Sequence, residues 1–241
     1  MIRAVFTDAM NTVFMPKGGR WALYQRLLDE CAGIEASEIN IESVYKRERQ
    51  GKEKTTSIPE GKLPPGFYRE YWSEINAAIV LAFKPEIGKE VALRIGEQIY
   101  LEVMGNPEHY QFESSVADAI RSLCNRSVSV FLTTNQEPDC IQGLVNHFGV
   151  GGLFTRVITS DETGYKKPDP RFFKEAIEIS KIPANQIAVV GNNPTNDMKG
   201  AAEAGILQRF LYDPRGEHGD TETEVSFTKI QLLDQLVDYI E

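Results

Sequence analysis

The chain has 241 residues, enough for one large domain or for a core domain with a smaller insert. Hydrophobic residues make up 41% of it, a share that is ordinary for a globular protein and too high for a disordered one. The net charge of -9 argues against a nucleic-acid-binding surface, although a local pocket in an acidic protein can still be basic.

The cysteines and the apolar runs of the chain indicate its compartment. Cys31, Cys124 and Cys140 are widely spaced and form no CxxC pair, which favours reduced thiols. No apolar run is long enough to span a bilayer, and the N-terminal residues lack the apolar stretch of a signal peptide. We therefore expect a cytoplasmic protein that binds neither a membrane nor a nucleic acid.

The first part of the chain changes from a strand pattern to a helical one. Residues 2–7 are mostly apolar and end at Asp8, which predicts a buried strand of a parallel sheet. From about residue 20 to residue 105, apolar residues repeat at helical spacing, and no segment has the pattern of a strand. The lysine-rich residues 50–62, followed by two prolines and a glycine, have the composition of a loop.

Predicted helices and strands alternate from Ser114 onward. The strands are expected at residues 128–133, 156–159, 187–190 and 209–212. The helices are expected at residues 116–124, 138–148, 171–180, 197–204 and 230–240. This alternation predicts right-handed βαβ units and a parallel sheet, which the first strand must join to bury its faces. We therefore predict an α/β fold: a Rossmann-like doubly wound core of residues 1–15 and 108–241, with residues 16–107 as an inserted α-helical cap domain.

Polar side chains follow the predicted strands, at the edge where a parallel sheet binds its ligands. In chain order they are Asp8, Asn11 and Thr12; Thr133, Thr134 and Asn135; Asp161, Lys166 and Lys167; and Asn192, Asn193, Asn196 and Asp197. A turn or a helix cap would explain each one alone. Together they bring a carboxylate, a hydroxyl, an ammonium and a second carboxylate to one rim, which predicts a functional site.

The order of these residues resembles the four motifs of the haloacid dehalogenase-like superfamily. Residues 5–13 resemble the first motif and residues 130–135 the second. Residues 164–173 resemble the third motif, and residues 189–205 are similar to the fourth. The helical insert is similar to that of members with a small α-helical cap. The resemblance spans nearly the whole chain and implies a hydrolase of this superfamily.

The resemblance implies a role for each residue of the rim. Asp8 would be a nucleophile that forms an aspartyl intermediate, which water later hydrolyses. Thr134 would hydrogen-bond a transferred phosphoryl oxygen, and Lys167 would neutralise charge on the nucleophile and the transition state. Thr12 and Asn135 would contact a small-molecule substrate.

The resemblance also implies a Mg²⁺ site, with two departures from the phosphatase pattern. Asp8, the backbone carbonyl of Met10, Asn192 and Asp197 would supply oxygen ligands. Met10 stands where phosphatases carry the aspartate that acts as general acid and base, and a thioether cannot transfer a proton. Loss of such a group typically costs about 10²- to 10⁴-fold in rate. Asn192 replaces an acidic residue and brings no charge, so we expect Mg²⁺ to bind weakly.

Three functions stay open at this point. The first is a weak phosphatase for a small phosphorylated metabolite, favouring acyl phosphates or activated aryl esters because their leaving groups need little protonation. The second is a metal-independent 2-haloacid dehalogenase, to which the insert would contribute Arg47 or Arg49 for substrate binding. Those arginines also fit a charged helix face. The third is a non-catalytic relative that binds a phosphorylated ligand or a protein. The surviving polar residues and Asp197 favour the first.

Overall fold

The computed structural model describes residues 1–56, 62–64, 66–216, 218 and 225–240. The chain forms two compact units. The first contains Met1–Met15, Phe112–Gln136 and Val145–Glu241, and the second contains Pro16–Gln111 and Glu137–Leu144. The sequence predicts an insert that ends at residue 107, whereas the second unit extends to Gln111 and also takes in Glu137–Leu144.

The elements follow the expected order of a split α/β unit. In chain order the strands are β1 (Ala4–Asp8), β2 (Met15–Pro16), β3 (Tyr110–Gln111), β4 (Ser129–Thr134), β5 (Arg156–Thr159), β6 (Ile187–Gly191), β7 (Gln208–Tyr212) and β8 (Thr228–Ile230). The α-helices are α1 (Arg20–Ala32), α2 (Glu38–Thr55), α3 (Phe67–Phe83), α4 (Lys89–Gly105), α5 (Ser114–Asn125), α6 (Pro138–His147), α7 (Ser160–Thr163), α8 (Pro170–Ser180), α9 (Gly200–Glu203) and α10 (Leu236–Tyr239). None of the helices in the described part of the chain is long and apolar enough to cross a membrane.

The first unit is built on one parallel sheet. Within the described residues it has six strands in the order β5–β4–β1–β6–β7–β8, while β2 and β3 pair only with each other. β1 lies between β4 and β6, with Asp8 opposite Thr133. Because all six strands run in the same direction, the side chains that follow them lie along one edge of the sheet.

Both faces of this sheet are covered. On one face Phe6 packs in a buried cluster with Phe172 and Phe173 of α8. On the other face Val5 and Val130 are also buried. A sheet that is apolar on both faces needs helices on both sides, which explains the near-continuous apolar runs of its strands. The six-stranded parallel sheet flanked by helices confirms the predicted Rossmann-like α/β fold.

Three predicted elements differ from the structure. The sequence predicts a helix over residues 230–240, but β8 ends at Ile230 and only the 3₁₀-helix Leu233–Gln235 and α10 follow. The apolar spacing of this segment imitates a helix, yet Ile230 pairs with Tyr212 at the sheet edge. The helix expected at residues 197–204 is a π-helix, Pro194–Lys199, followed by α9.

The third difference concerns the polar residues 50–62. The sequence predicts a loop, but α2 continues to Thr55, and residues 57–61 lie outside the described residues. Two ion pairs one turn apart stabilise this polar helix, Lys46 with Glu42 at 2.6 Å and Arg49 with Glu53 at 2.8 Å. Such pairs give no apolar periodicity, so the sequence pattern placed the end of this helix too early.

The second unit is helical, and α3 and α4 approach each other closely. A Cβ atom on Gly96 would lie 2.3 Å from the carbonyl oxygen of Ser73, so only glycine fits there. Beside this contact, buried Asn76 donates to the Gly96 carbonyl at 3.2 Å and accepts from the Tyr24 hydroxyl at 3.2 Å. The buried Asn76 amide therefore has a partner for its oxygen and for its nitrogen, as buried polar groups usually do.

Candidate active site

Three ionisable side chains meet at the carboxyl edge of the sheet. The ammonium of Lys167 donates to Asp8 Oδ1 and to Asp197 Oδ1, both at 2.6 Å. It also donates to the carbonyl oxygen of Thr133 at 3.2 Å. The side chains of Lys167 and Asp197 are each 2% exposed and that of Asp8 is 13% exposed. A buried lysine therefore joins the end of β1 to the segment that follows β6.

The charges of this cluster do not cancel. One ammonium faces two carboxylates, so the cluster has one excess negative charge when both acids are ionised. Burial lowers the pKa of Lys167, but the charges of Asp197 and Asp8 outweigh burial and raise that pKa above its usual range. Burial and, less strongly, the charge of Asp8 raise the pKa of Asp197, and Lys167 opposes both; together they bring that pKa to about 6. Lys167 therefore keeps its charge in the buried site.

A tight loop follows Asp8. The Ala9 carbonyl accepts the N–H groups of Val13 and Phe14, each at 2.9 Å, and turns the chain back. Thr12 is fully buried in this loop, and its hydroxyl lies 3.5 Å from Asp8 Oδ2. The structure thus brings Thr12 against the carboxylate oxygen that Lys167 does not bind.

The end of β4 contributes two more predicted residues. Thr134 is buried, and its hydroxyl oxygen accepts the N–H of Gln136 at 3.1 Å, which leaves the hydroxyl proton for another acceptor. Asn135 uses both atoms of its side-chain amide on the main chain of Lys167. Its Nδ2 donates to the Lys167 carbonyl at 3.0 Å, and its Oδ1 accepts the Lys167 N–H at 2.9 Å.

The loop after β6 places Asp197. Asn193 accepts the N–H groups of Thr195 and Asn196 at 3.0 and 2.8 Å, and its own N–H donates to Asp197 Oδ2 at 3.1 Å. Gly191 ends β6 directly beneath this carboxylate, because a Cβ atom there would lie 2.3 Å from Asp197 Oδ2.

Gly191 is a site residue that the sequence analysis missed. The signal was present as a glycine that ends an apolar strand and precedes a polar loop, a pattern typical of close backbone approach. The neighbouring Asn192 is partly exposed on the same loop.

The oxygen atoms of the rim suit a Mg²⁺ ion that is also coordinated by a substrate. Among the described residues there is no group of three or more His, Cys, Asp or Glu side chains that could hold a metal ion alone. Asp8 and Asp197 nevertheless place two carboxylates within 2.6 Å of the same ammonium. Mg²⁺ typically uses one or two carboxylates, several waters and a substrate phosphate. The donor set therefore fits Mg²⁺ bound together with a phosphorylated molecule.

The arginines considered for substrate binding have partners inside the helical unit. Arg47 lies on α2, its side chain is 64% exposed, and its guanidinium pairs with Glu48 at 2.6 Å. Arg49 pairs with Glu53 and lies 5.8 Å from the ring centre of Trp72. Both arginines therefore make contacts typical of a charged helix surface.

Most of the chain matches one known family. Residues 2–205 match the family described as haloacid dehalogenase-like hydrolase. The chain belongs to the haloacid dehalogenase-like hydrolases. This membership confirms the resemblance drawn from the four motifs.

Two curated relatives illustrate this membership of the hydrolase family. The phosphoserine phosphatase of Thermus thermophilus is 33% identical over 149 residues, which cover 62% of this chain and 53% of the relative. The match thus spans about half the length of that enzyme. Human haloacid dehalogenase-like hydrolase domain-containing protein 3 is 24% identical over 218 residues, covering 89% of this chain and 83% of the relative.

Solved structures share the fold of this hydrolase. A magnesium-bound hydrolase of the superfamily from Bacillus subtilis has a TM-score of 0.76 and 20% identity, and the match covers 99% of this chain and 98% of that one. A 2-haloacid dehalogenase from Pseudomonas syringae has a TM-score of 0.61 and 20% identity, with coverage of 99% and 97%. Both structures confirm the fold.

Proposed function

We propose that this hydrolase is a phosphatase that acts on a small phosphorylated metabolite through an aspartyl-phosphate at Asp8. The observation that carries the proposal is the buried contact of Lys167 with both Asp8 and Asp197. A fixed cation beside a nucleophilic carboxylate suits a reaction in which negative charge gathers on phosphoryl oxygens. Similarity to the Thermus phosphoserine phosphatase supports the same chemistry.

Asp8, Lys167 and Thr134 each have a part in this proposed reaction. Lys167 binds Asp8 Oδ1, so Oδ2 is the oxygen that attacks phosphorus. The new Oδ2–P bond forms as the bond from phosphorus to the leaving oxygen breaks, and that oxygen departs with the electron pair. The Thr134 hydroxyl donates its free proton to a phosphoryl oxygen. Water then attacks phosphorus, which releases phosphate and restores the Asp8 carboxylate.

The proposed Mg²⁺ ligands are Asp8, Asp197, Asn192 and the backbone carbonyl of Met10. When bound, Mg²⁺ would neutralise part of the phosphoryl charge. Asn192 contributes no charge, so we propose weak metal binding in the absence of substrate.

Met10 determines which substrates suit this site. Because its thioether cannot protonate a leaving oxygen, the rate depends on how well that oxygen departs as an anion. Acyl phosphates and activated aryl phosphates release stable anions, whereas alkyl phosphates do not. We therefore propose substrates of the first two kinds.

A comparison of three substrates with and without Mg²⁺ tests this function. We expect turnover of acetyl phosphate and para-nitrophenyl phosphate that requires Mg²⁺, is lost with EDTA, and is far slower with glycerol phosphate. Halide release from 2-chloropropionate without metal would instead identify a dehalogenase. If the folded protein shows neither activity, the proposal is contradicted, and the result indicates a binding protein.

A further inference from the structure

The side-chain amide of Asn135 holds the main chain of Lys167 with two hydrogen bonds, a contact called the Asn135 grip below. Its oxygen accepts the Lys167 N–H at 2.9 Å, and its nitrogen donates to the Lys167 carbonyl at 3.0 Å. Both distances lie within the normal range of strong backbone-type hydrogen bonds. An amide that uses its acceptor and one donor on a single residue fixes that residue in both position and orientation.

Asn135 is itself held in place. It directly follows β4, and its carbonyl oxygen accepts the hydroxyl of buried Ser160 at 3.3 Å. Ser160 begins α7, whose first turn is capped by the Thr159 hydroxyl, which accepts the N–H of Glu162 at 3.2 Å. The amide therefore projects from a rigid edge formed by two neighbouring strands.

The far end of Lys167 is bound by the same strand. The carbonyl oxygen of Thr133 accepts the ammonium at 3.2 Å, two residues before Asn135. A lysine carries its ammonium on a flexible chain of four methylene groups, so the charge is placed accurately only when both ends are held. Thr133 and Asn135 provide these two anchors, and the ammonium reaches Asp8 and Asp197 at 2.6 Å each.

We propose that Asn135 is a positioning residue, which holds the main chain of Lys167 so that its ammonium lies between Asp8 and Asp197. This role differs from the substrate contact that the sequence predicted for the Asn135 side chain, because the amide oxygen and one amide N–H are already bonded to the main chain of Lys167. The expected effect on kcat rests on the proposed phosphatase activity. The two hydrogen bonds themselves are part of the fold and do not depend on it.

A kinetic double-mutant cycle tests the positioning role, with para-nitrophenyl phosphate and Mg²⁺ as the probe. We expect Asn135→Ala to lower kcat about 10- to 100-fold, the loss typical of a misplaced catalytic group. The KM should stay within about twofold, because no substrate contact is removed. In a Lys167→Ala background, Asn135→Ala should have almost no further effect. Asn125→Ala, the same change at an exposed position ending α5, is the control and should leave both constants unchanged.

Two results would overturn the proposal. A raised KM with unchanged kcat would make Asn135 a substrate-binding residue. A full loss in the Lys167→Ala background would show that Asn135 acts independently of Lys167.

Amide hydrogen exchange separates this proposal from the proposed function. The Lys167 N–H should exchange faster in Asn135→Ala than in the original protein and the Asn125→Ala control. If no phosphate ester is hydrolysed at all, the phosphatase proposal fails, and faster exchange still supports the grip. Unchanged exchange would contradict the grip whether or not the protein is active.

Discussion

Lys167→Met will lower the free energy of unfolding by about 3 kcal/mol, because it leaves two carboxylates facing each other in a buried site. Methionine has a similar length and fills the space of the lysine stem, so the change removes charge and hydrogen bonds with little loss of packing. Asp197 is 2% exposed and cannot recover its lost partner from water. Urea unfolding of both proteins at neutral pH measures the difference.

Two further variants show whether charge is the cause of this loss. Lys174→Met makes the same change on the exposed surface of α8 and should not alter the unfolding midpoint. In Lys167→Met with Asp197→Asn, only the Asp8 carboxylate remains, so no two carboxylates face each other, and the amide oxygen at position 197 can still accept the Asn193 N–H. That double variant should recover at least about 1 kcal/mol of the loss. Equal unfolding midpoints for Lys167→Met and Lys174→Met would contradict the buried cluster.

Met10→Asp will raise the steady-state turnover of phosphate esters by about 10-fold or more, since a positioned general acid and base typically contributes about 10²- to 10⁴-fold. The gain should be largest for alkyl phosphates, whose leaving oxygens most need a proton. The same carboxylate would activate the water that attacks the Asp8 phosphate. A partly exposed position such as Met10 can accept a carboxylate without burying a charge.

The time course gives a second measure of this change. With acetyl phosphate the first step needs no proton, so the original protein should release a rapid burst of acetate and then turn over slowly. Met10→Asp should replace the burst with a linear course, because hydrolysis of the intermediate becomes faster. Met10→Asn, which matches the aspartate in size and cannot transfer a proton, is the control. Equal turnover in the two variants would show that residue 10 is not at the acid and base position.

The sequence predicted the core of the fold because burial leaves a strong pattern there. Strands covered on both faces are continuous apolar runs: β6 is buried throughout, and the predicted residues 187–190 lie within its bounds, Ile187–Gly191. The apolar pattern predicted the wrong element where residues at helical spacing pair with a strand instead. Ile230, Leu233 and Leu236 are buried at helical spacing, yet the segment starts as an edge strand. Edge pairing depends on a distant strand, β7, and leaves no local signal.

The site was predicted in its residues but not in its contacts. Asp8, Lys167 and Asp197 follow from their places after strands and from the motifs, because a parallel sheet gathers such positions at one edge. That Lys167 is fully buried and binds both acids depends on the path of the loop that carries it. The hydrogen bonds from Asn135 to that loop join residues 32 positions apart, and no rule of local sequence spacing predicts such a contact.

Acid-quenched mass spectrometry of the reaction with acetyl phosphate and Mg²⁺ tests the aspartyl-phosphate at Asp8 most directly. The missing general base should slow hydrolysis of the intermediate, so the peptide that carries Asp8 should gain the mass of one phosphoryl group. Asp8→Asn should show neither this mass nor any turnover. Release of phosphate at the normal rate from Asp8→Asn, or a phosphoryl group on another residue, would contradict the account.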